Sequence, residues 1–251
     1  MNNWWGDLYD NLLADFLMDN RTSEEVEKSL SFIIDKLALE KENLVFDQCC
    51  GTGSLSNPLA QKGFRVLGVD QAENYIQRAR DRKVSNNAQF IAADAFEFVS
   101  NEKCDAGFNW WTSFGYTLDD QFNIKMLQRA ADSLKEGALY MLDTMNLPGV
   151  LRKFDREVVN RIETPEGEIV LVRETELNWQ KGSMQKKWIY LFPNGERRTF
   201  NSEVRLYLTH TLVEMFETCG FKVLDIFGSE NGEPIQIDSM RCIILARREA
   251  K

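Results

Sequence analysis

The sequence predicts an α/β fold with a seven-stranded, mostly parallel sheet, helices on both faces and an antiparallel β insertion after the fifth strand. Three observations lead to this prediction. Short apolar, β-prone runs alternate with helix-like segments between residues 44 and 143. One of these alternations contains a glycine-containing turn of the kind that binds nucleotides. Between residues 147 and 207, strand-like stretches instead follow one another with hairpin turns between them.

Composition indicates an ordinary globular protein. The 251 residues suit a single α/β domain spanning residues 1–251, with 27% charged and 43% hydrophobic residues. There is no apolar run long enough for a membrane span and no secretory leader pattern. The five cysteines form no C-x-x-C pair, so we expect reduced thiols in a cytoplasmic protein. A net charge of −9 disfavours nucleic acid as a partner.

The N-terminal residues 1–40 are predicted to be helical. Apolar side chains recur at helical spacing between Met1 and Asn20, which predicts one amphipathic helix. This helix could simply pack on the domain, or it could be a lid over the cofactor that brings Trp4, Trp5 and Tyr9 to a substrate pocket. A second helix is predicted from Thr22 to Leu39, because a Ser/Thr cap is followed by acids in the first turn.

The next segment predicts a strand, a helix and a second strand. The buried strand Leu44–Phe46 ends at Asp47, and after a glycine turn Ser54 is expected to cap a helix that runs to about Lys62. The strand Arg65–Val69 follows and ends at Asp70. A βαβ unit of this kind holds a nucleotide-type ligand at the carboxyl ends of its strands.

Three features of this unit discriminate between nucleotide-type ligands. The glycine pattern is G-x-G at Gly51 and Gly53, without the third glycine of a dinucleotide fingerprint and without the Lys-Ser/Thr of a P-loop. Asp47 would repel a pyrophosphate but suits a sulfonium or ammonium group. Asp70 follows Gly51 by 19 residues, the spacing of a carboxylate that binds ribose hydroxyls. Together these features indicate S-adenosylmethionine.

The segment Asp47–Gly53, DQCCGTG, resembles motif I of the class I methyltransferases, D/E-x-x-C/G-G-x-G. The resemblance implies S-adenosylmethionine as the cofactor and a binding site along the strand ends. The cofactor-binding residues expected from it are Asp47, Cys49, Gly51, Gly53, Asp70, Gln71, Asp94, Ala95 and Asn109.

The third strand, Gln89–Ala93, follows a helix predicted over Ala72–Val84 and ends at Asp94. By resemblance, Asp94 would meet the adenine amino group, and the backbone amide of Ala95 would meet a ring nitrogen. From the residues alone, an acid at this point could equally cap the following helix. The two interpretations are left open here.

The fourth strand, Ala106–Trp110, leads into the polar and aromatic loop Trp111–Tyr116, where class I enzymes place their acceptor chemistry. This loop resembles the Ser-x-Gly-His loop of N-methyltransferases acting on nucleotide-linked amino sugars and other small amines. Tyr116 stands at the histidine position, so the resemblance implies that Tyr116, with Tyr9, orients the acceptor or relays its proton. The substrate-binding residues expected are Trp5, Trp111, Ser113, Tyr116 and Trp188.

The remaining elements complete the alternation around the insertion. The insertion, residues 147–207, is expected to roof the substrate pocket. A helix from His210 to Cys219 follows, with Thr209 as its cap. The other predicted elements are a helix at Leu118–Leu134, a strand at Ala138–Asp143, insertion strands at Val158–Glu163, Ile169–Trp179, Met184–Phe192 and Glu203–Tyr207, and final strands at Phe221–Gly228 and Met240–Ala246.

The sequence therefore predicts methyl transfer from S-adenosylmethionine to a small molecule, most naturally an amine nitrogen. Two alternatives stay open: an enzyme that cyclises the aminobutyrate chain of the cofactor, and a catalytically silent protein that binds it. With His210 as its one histidine, the chain is expected to have no metal site. A small molecule is the expected partner, and a homodimer is left open.

Overall fold

The computed structural model describes residues 4–250. Its helices are α1 (Trp4–Leu8), α2 (Asn11–Leu13), α3 (Ser23–Lys36), α4 (Ser56–Gln61), α5 (Glu73–Asp81), α6 (Asp120–Ser133), α7 (Leu147–Arg152) and α8 (Thr209–Thr218), with a π-helical segment at Ala14–Met18. Its strands are β1 (Leu44–Gln48), β2 (Arg65–Asp70), β3 (Ala88–Ala92), β4 (Cys104–Asn109), β5 (Leu134–Met145), β6 (Glu157–Thr164), β7 (Gly167–Asn178), β8 (Ser183–Leu191), β9 (Arg197–Arg205), β10 (Phe221–Phe227) and β11 (Arg241–Arg248). In the described part of the chain, no helix is both long and apolar enough to cross a membrane.

The main sheet has seven strands in the order β10-β11-β5-β4-β1-β2-β3. Strands β1 to β5 run parallel to one another, whereas β11 is antiparallel to both of its neighbours, β5 and β10. Strand β1 is central and has the burial pattern of a strand covered on both faces. The predicted seven-stranded, mostly parallel sheet is confirmed.

The insertion forms a separate antiparallel sheet of four strands in the order β6-β7-β8-β9. Three of its strands lie where the sequence predicted them. The fourth begins earlier, at Arg197 rather than Glu203, because the polar residues before Glu203 pair in register with β8. The sequence prediction also missed α7, whose Pro148 is near the helix start, where proline is tolerated.

The prediction of one helix over Met1–Asn20 is wrong within the described residues. Asp10 has an extended backbone, with φ −92° and ψ 179°, and its carboxylate accepts a hydrogen bond from the Leu13 amide at 2.8 Å. Aspartate competes with the helical backbone in this way and starts a new helix instead of continuing the old one. Residues 1–3 of the predicted helix lie outside the described residues.

One of the three predicted helix caps is confirmed. Thr22 accepts a hydrogen bond from the Glu25 amide, and the Glu25 carboxylate accepts one from the Thr22 amide, which makes a capping box. Ser54 is not a cap, because Leu55 precedes α4 and the Ser54 hydroxyl instead contacts that of Thr52 at 3.1 Å. Thr209 is the first helical residue of α8 rather than its cap.

A third apolar cluster joins the N-terminal helices to the insertion, apart from the two clusters on the faces of the main sheet. In it, Trp4, Trp5 and Phe16 pack with Tyr190 and Trp188 of β8. The Phe16 and Tyr190 rings meet edge to face, with centroids 5.8 Å apart. The insertion sheet therefore packs directly against the N-terminal helices.

Gly115 links the loop after β4 to the end of β9. Its carbonyl accepts a hydrogen bond from the Arg205 amide at 2.6 Å, and its φ of +90° lies in the region that favours glycine. A Cβ at this position would lie 2.6 Å from the Arg205 carbonyl oxygen, which is backbone and cannot rotate away. The loop and the insertion are therefore fixed to each other here.

Gly115→Ala is expected to lower the free energy of unfolding by roughly 3 kcal/mol or more, because it combines a left-handed backbone with a clash against backbone. The matched control is Gly195→Ala, where φ is +84° and a Cβ would meet nothing within 4 Å. That control should lose about 1 kcal/mol. Urea denaturation of both variants measures the difference, and equal losses would contradict the close approach at Gly115.

Candidate active site

A cavity of about 360 Å³ lies at the carboxyl edge of the main sheet, beside the ends of β1, β2, β3 and β4. The loops that leave parallel strands gather at this edge, which is where ligands bind in such sheets. Most of the side chains predicted as site residues meet in it. They are Trp5, Tyr9, Cys49, Gly51, Asp70, Gln71, Asp94, Ala95, Trp111, Ser113 and Tyr116.

Asp70 is held at the end of β2 by two backbone amides. One carboxylate oxygen accepts a hydrogen bond from the Gly51 amide at 3.0 Å and the other accepts one from the Ala72 amide at 2.9 Å. Burial raises the pKa of this carboxyl, and the amide hydrogen bonds oppose that shift. The carboxylate therefore has a fixed orientation at the cavity wall, with acceptor capacity left for a ligand.

The turn after β1 runs through left-handed backbone at Cys49, Gly51 and Gly53, with φ of +64°, +54° and +75°. Cys49 and Gly51 line the cavity, but Gly53 does not. A Cβ at Gly53 would lie 2.9 Å from the Ala79 Cβ in α5, so this glycine serves the packing of the turn against that helix. Gly51 is therefore part of the cavity wall, whereas Gly53 allows the turn to pack closely against α5.

Asp47 points away from the cavity. Its carboxylate accepts a hydrogen bond from the Ser56 hydroxyl at 2.6 Å, and the residue is only 2% exposed. The pKa of Asp47 is raised to about 7, mainly by burial; the Ser56 hydrogen bond opposes the shift and the nearby Asp70 charge contributes to it. The structure places this predicted cofactor residue behind the glycine turn, where it holds the start of α4.

Two more predicted site residues lie outside the cavity. Asn109 is fully buried, and its side chain lies beside the Cys49 thiol. Trp188 lies in the insertion, where its indole N–H donates to the Ser202 hydroxyl at 2.8 Å. The insertion contributes none of the residues that line this cavity, and its predicted roofing role stays a prediction.

Asp94 follows β3 and has two relations at once. It lines the cavity, and its carboxylate accepts a hydrogen bond from the Phe96 amide at 2.8 Å. The capping interpretation is wrong, because the element that follows β3 in the described residues is β4, and the Asp94 hydrogen bond closes a turn instead of starting a helix. Contact with the adenine amino group stays a prediction.

Tyr9 and Tyr116 lie next to each other in the wall of the cavity. Their rings stack with centroids 5.9 Å apart and an interplanar angle of 18°, and their hydroxyls share a hydrogen bond. Burial raises the pKa of both phenols, so each keeps its proton at neutral pH. Trp4 covers Tyr116 from outside, with ring centroids 4.9 Å apart. The pair can orient a ligand through its hydroxyls but is poorly suited to take a proton from one.

The loop that carries Trp111 and Ser113 has an unusual backbone. Trp111 and Thr112 both have positive φ, +58° and +66°. The Asp143 carboxylate accepts a hydrogen bond from the Trp111 amide at 2.8 Å, and Arg241 binds both oxygens of the same carboxylate at 2.7 Å. A bidentate, buried pair of this kind holds the strained turn in place.

The sequence analysis missed Arg21, the cation among the described residues that line the cavity. Its guanidinium lies 3.7 Å from the centroid of the Trp111 ring and donates to the Met18 carbonyl at 3.2 Å. Burial lowers the pKa of Arg21 to about 10, so it keeps its charge at neutral pH. No sequence pattern marks this arginine, because only the fold of the N-terminal segment brings it to the cavity.

The sequence analysis also missed how the N-terminal segment is fixed. Asp19 accepts hydrogen bonds from the Thr52 hydroxyl at 2.8 Å, from Arg78 at 2.8 Å and from Arg82. These contacts tie the segment that carries Tyr9 and Arg21 to the glycine turn and to α5. Residues of the segment thereby close one side of the cavity.

The family comparison matches the centre of the chain. Residues 45–137 match the family model described as a methyltransferase domain, and they include the glycine turn, Asp70, Asp94 and the Tyr116 loop. This segment of the chain is a methyltransferase domain, and the sheet that contains it has the class I methyltransferase fold. The predicted recognition is confirmed at this level, and so is the cofactor, S-adenosylmethionine.

Solved methyltransferases share the fold over nearly the whole chain. A S-adenosylmethionine-dependent methyltransferase from Clostridium acetobutylicum has a TM-score of 0.77 and 19% sequence identity, and the match covers 99% of both chains. The sugar N-methyltransferase KedS8 from a Streptoalloteichus species has a TM-score of 0.75 and 15% identity, and the match covers 97% of this chain and 92% of that one. At these identities, the likeness shows the fold.

Sequence relatives cover less of the chain. An uncharacterised RNA methyltransferase from Clostridium tetani is 32% identical over 84 residues, which is 32% of this chain. The chain spans about a fifth of the length of the curated relatives it matches. The substrates of those whole proteins therefore do not carry over to this chain, which shares only one segment with them.

The residues that line the cavity suit S-adenosylmethionine. Asp70 offers free carboxylate lone pairs at the strand end, Arg21 offers a cation for a carboxylate, and the aromatic rings suit a sulfonium. Among residues 4–250, no cluster of His, Cys, Asp or Glu has the composition of a metal site.

Asp70→Asn is expected to weaken binding of S-adenosylmethionine by roughly tenfold or more, since it replaces charge-assisted hydrogen bonds with weaker neutral ones. Glu73→Gln is the matched control, because it removes the same charge from the same cavity wall. Calorimetry should give an almost unchanged dissociation constant for that control. Equal losses in both variants would show that only the overall charge of the cavity matters.

Asp47→Asn should flatten the dependence of stability on pH. The folded pKa of about 7 lies above the unfolded value near 3.9, so the folded state binds the extra proton and stability falls as pH rises between those values. The wild type should lose roughly 2–3 kcal/mol more than the variant between pH 5 and pH 8. Urea denaturation at both pH values measures this, and an identical loss in the two proteins would refute the buried, protonated Asp47.

Proposed function

We propose that this protein transfers a methyl group from S-adenosylmethionine to a nitrogen of a small-molecule acceptor. The observation that carries the proposal is the Tyr9–Tyr116 pair, which lies in the same cavity as Asp70 and the glycine turn. Asp70 thus suits the ribose of the cofactor, and two protonated phenols are available to an acceptor in the same cavity.

In this proposal, different residues bind different parts of the cofactor. Asp70 binds the ribose hydroxyls, Asp94 and the Ala95 amide bind the adenine, and Arg21 binds the carboxylate of the aminobutyrate chain. Gln71 lies beside the ribose, and Cys49 and Gly51 contact the cofactor through backbone. Asp47, Gly53 and Asn109 act from behind the wall, through the turn and the strand ends.

The cofactor supplies an electrophilic methyl group on a sulfonium. The chain contributes alignment, which can account for several kcal/mol of barrier. Tyr116 and Tyr9 hold the acceptor nitrogen through hydrogen bonds, with Trp5, Trp111 and Ser113 as the walls of its pocket. Because both phenols keep their own protons, the proton of an ammonium acceptor must leave to water before the transfer.

Several observations favour a small molecule over a nucleic acid. The cavity is bounded by the N-terminal segment, and the chain has a net charge of −9, which opposes binding to phosphate backbones. KedS8, a sugar N-methyltransferase, shares the fold over 97% of this chain, so the match extends into the insertion. We further propose a cytoplasmic location and a lid role for the N-terminal segment, and a homodimer stays a prediction.

The direct test is incubation with S-adenosylmethionine labelled in its methyl group and a panel of amines, amino sugars and matched alcohols. The proposal expects label in an amine product and S-adenosylhomocysteine in equal amount. Methylthioadenosine without methylated product would instead indicate cyclisation of the aminobutyrate chain. Tight cofactor binding with no turnover on any acceptor would indicate a silent binding protein.

Tyr116→Phe is expected to lower kcat by roughly 10- to 100-fold through loss of alignment, while the pH–rate profile keeps its shape. The acceptor itself would be the titrating group. Tyr140→Phe is the control, because it removes a buried, hydrogen-bonded hydroxyl that does not line the cavity. A shift of the apparent pKa by a unit or more in Tyr116→Phe would mean that Tyr116 acts as the base.

A further inference from the structure

Two arginines stack on the two tryptophans that follow β4. The Arg241 guanidinium lies 4.9 Å from the centroid of the Trp110 ring, and the Arg21 guanidinium lies 3.7 Å from the centroid of the Trp111 ring. Both tryptophans and Arg21 line the active-site cavity, whereas Arg241 does not. The start of this loop therefore lies between a cation that lines the cavity and one that lies outside it.

Arg241 is the centre of a set of four side chains that we call the Arg241 network. Its Nε donates to one oxygen of Asp143 at 2.7 Å, and its Nη2 lies 2.7 Å from the other oxygen. Its Nη1 lies 2.6 Å from the carboxylate of Glu230, which also accepts a hydrogen bond from the Ser29 hydroxyl at 2.5 Å. The side chains of Asp143 and Glu230 are only 2% and 12% exposed, so the network is mostly shielded from water.

The network reaches the cavity through Asp143. The Asp143 carboxylate accepts a hydrogen bond from the Trp111 amide at 2.8 Å, and its backbone carbonyl accepts one from the Thr112 amide at 3.2 Å. Trp111 and Thr112 both have positive φ, which residues other than glycine rarely adopt and which persists only where the surroundings impose it. The orientation of the Trp111 ring therefore depends on the residues that hold Asp143.

Arg21 has a charge that is not neutralised by an ion pair within residues 4–250. The acids around it act only at a distance, because each is engaged elsewhere. Asp19 pairs with Arg82, Asp143 pairs with Arg241, and Glu25 closes the capping box at the start of α3. A half-buried guanidinium in this position is available to an anionic group of a ligand in the cavity.

We propose that the Arg241 network positions Trp111 as the platform on which Arg21 binds the carboxylate of the cofactor's aminobutyrate chain. This inference rests on the proposed function, in which Arg21 is the residue that binds that carboxylate. A guanidinium that stacks on a ring keeps its N–H donors in the plane of the stack, where a carboxylate can accept two of them. Arg241 is thus a positioning residue that gives the cavity its selectivity for ligands with the carboxylate.

The test is calorimetry of the full chain with S-adenosylhomocysteine and with S-adenosyl-3-thiopropylamine, which is the same thioether without the carboxylate. The wild type should prefer S-adenosylhomocysteine by about tenfold or more, as expected for charged hydrogen bonds. Arg241→Lys keeps the charge but cannot bind both oxygens of Asp143 in the same way. It should weaken S-adenosylhomocysteine by about threefold or more and leave the other ligand within about twofold.

The matched control is Arg65→Lys, which makes the same change in a pair that also binds two carboxylate oxygens. Arg65 lies at the first residue of β2 and contacts Glu102 at 2.8 and 2.7 Å, away from the cavity. This pair is exposed, so both affinities should stay within about twofold of the wild type.

Arg21→Gln should remove the preference for the carboxylate, and adding Arg241→Lys to it should change nothing further, because the two residues act through one chain of contacts. If Arg241→Lys does not fold, Trp111→Leu removes the ring beneath Arg21 and should also weaken only S-adenosylhomocysteine. Equal weakening of both ligands by Arg241→Lys, or an unchanged affinity for S-adenosylhomocysteine, overturns the inference. Either result leaves the proposed function standing if Arg21→Gln still removes the preference. Absence of S-adenosylhomocysteine binding in the wild type counts against both.

Discussion

The carboxylate of Asp70 is the point on which the active-site cavity depends. The carboxylate accepts hydrogen bonds from the Gly51 and Ala72 amides, and it thereby joins the turn after β1 to the residues just before α5. Parallel pairing of β1 with β2 brings those two turns to one sheet edge, and the carboxylate fixes their spacing there. The pairing of β1 with β2 therefore positions the ligand site, and the side chain of Asp70 then fixes its two turns.

The N-terminal segment completes the cavity because the rest of the fold positions it from two sides. Asp19 binds the glycine turn and two arginines after β2, while Phe16 and Trp4 pack against the insertion and the Tyr116 loop. Tyr9, which contacts Tyr116, lies between these two attachments. The insertion, which contributes nothing to the cavity wall, still determines its shape through these contacts and through Gly115.

Much of the fold could be predicted from the sequence because its signals are local. The apolar runs of β1 and β2 and the acid at Asp70 specify a βαβ unit without reference to the rest of the chain. The break at Asp10 was missed because helical spacing of apolar residues continues through it, and only the side-chain cap interrupts the helix. Local pattern is insufficient where a cap competes with periodicity.

The candidate site was predictable where it follows strand ends and unpredictable where it depends on orientation. Cys49, Asp70 and Tyr116 lie in the cavity because strand ends and loops put them there. Asp47 also follows β1, but its side chain turns back to Ser56, which strand position alone does not determine. Arg21 reaches the cavity through tertiary packing, for which the sequence offers no pattern.

The central claim is that the reacting end of S-adenosylmethionine faces the Tyr9–Tyr116 pair while its ribose binds Asp70. The most direct measurement is a crystal structure of the protein with S-adenosylhomocysteine. The account predicts ribose hydroxyls bound to Asp70 and the thioether sulfur directed at the two phenols. A ligand whose sulfur lies away from both tyrosines, or whose ribose leaves Asp70 bound only to its two amides, would contradict it.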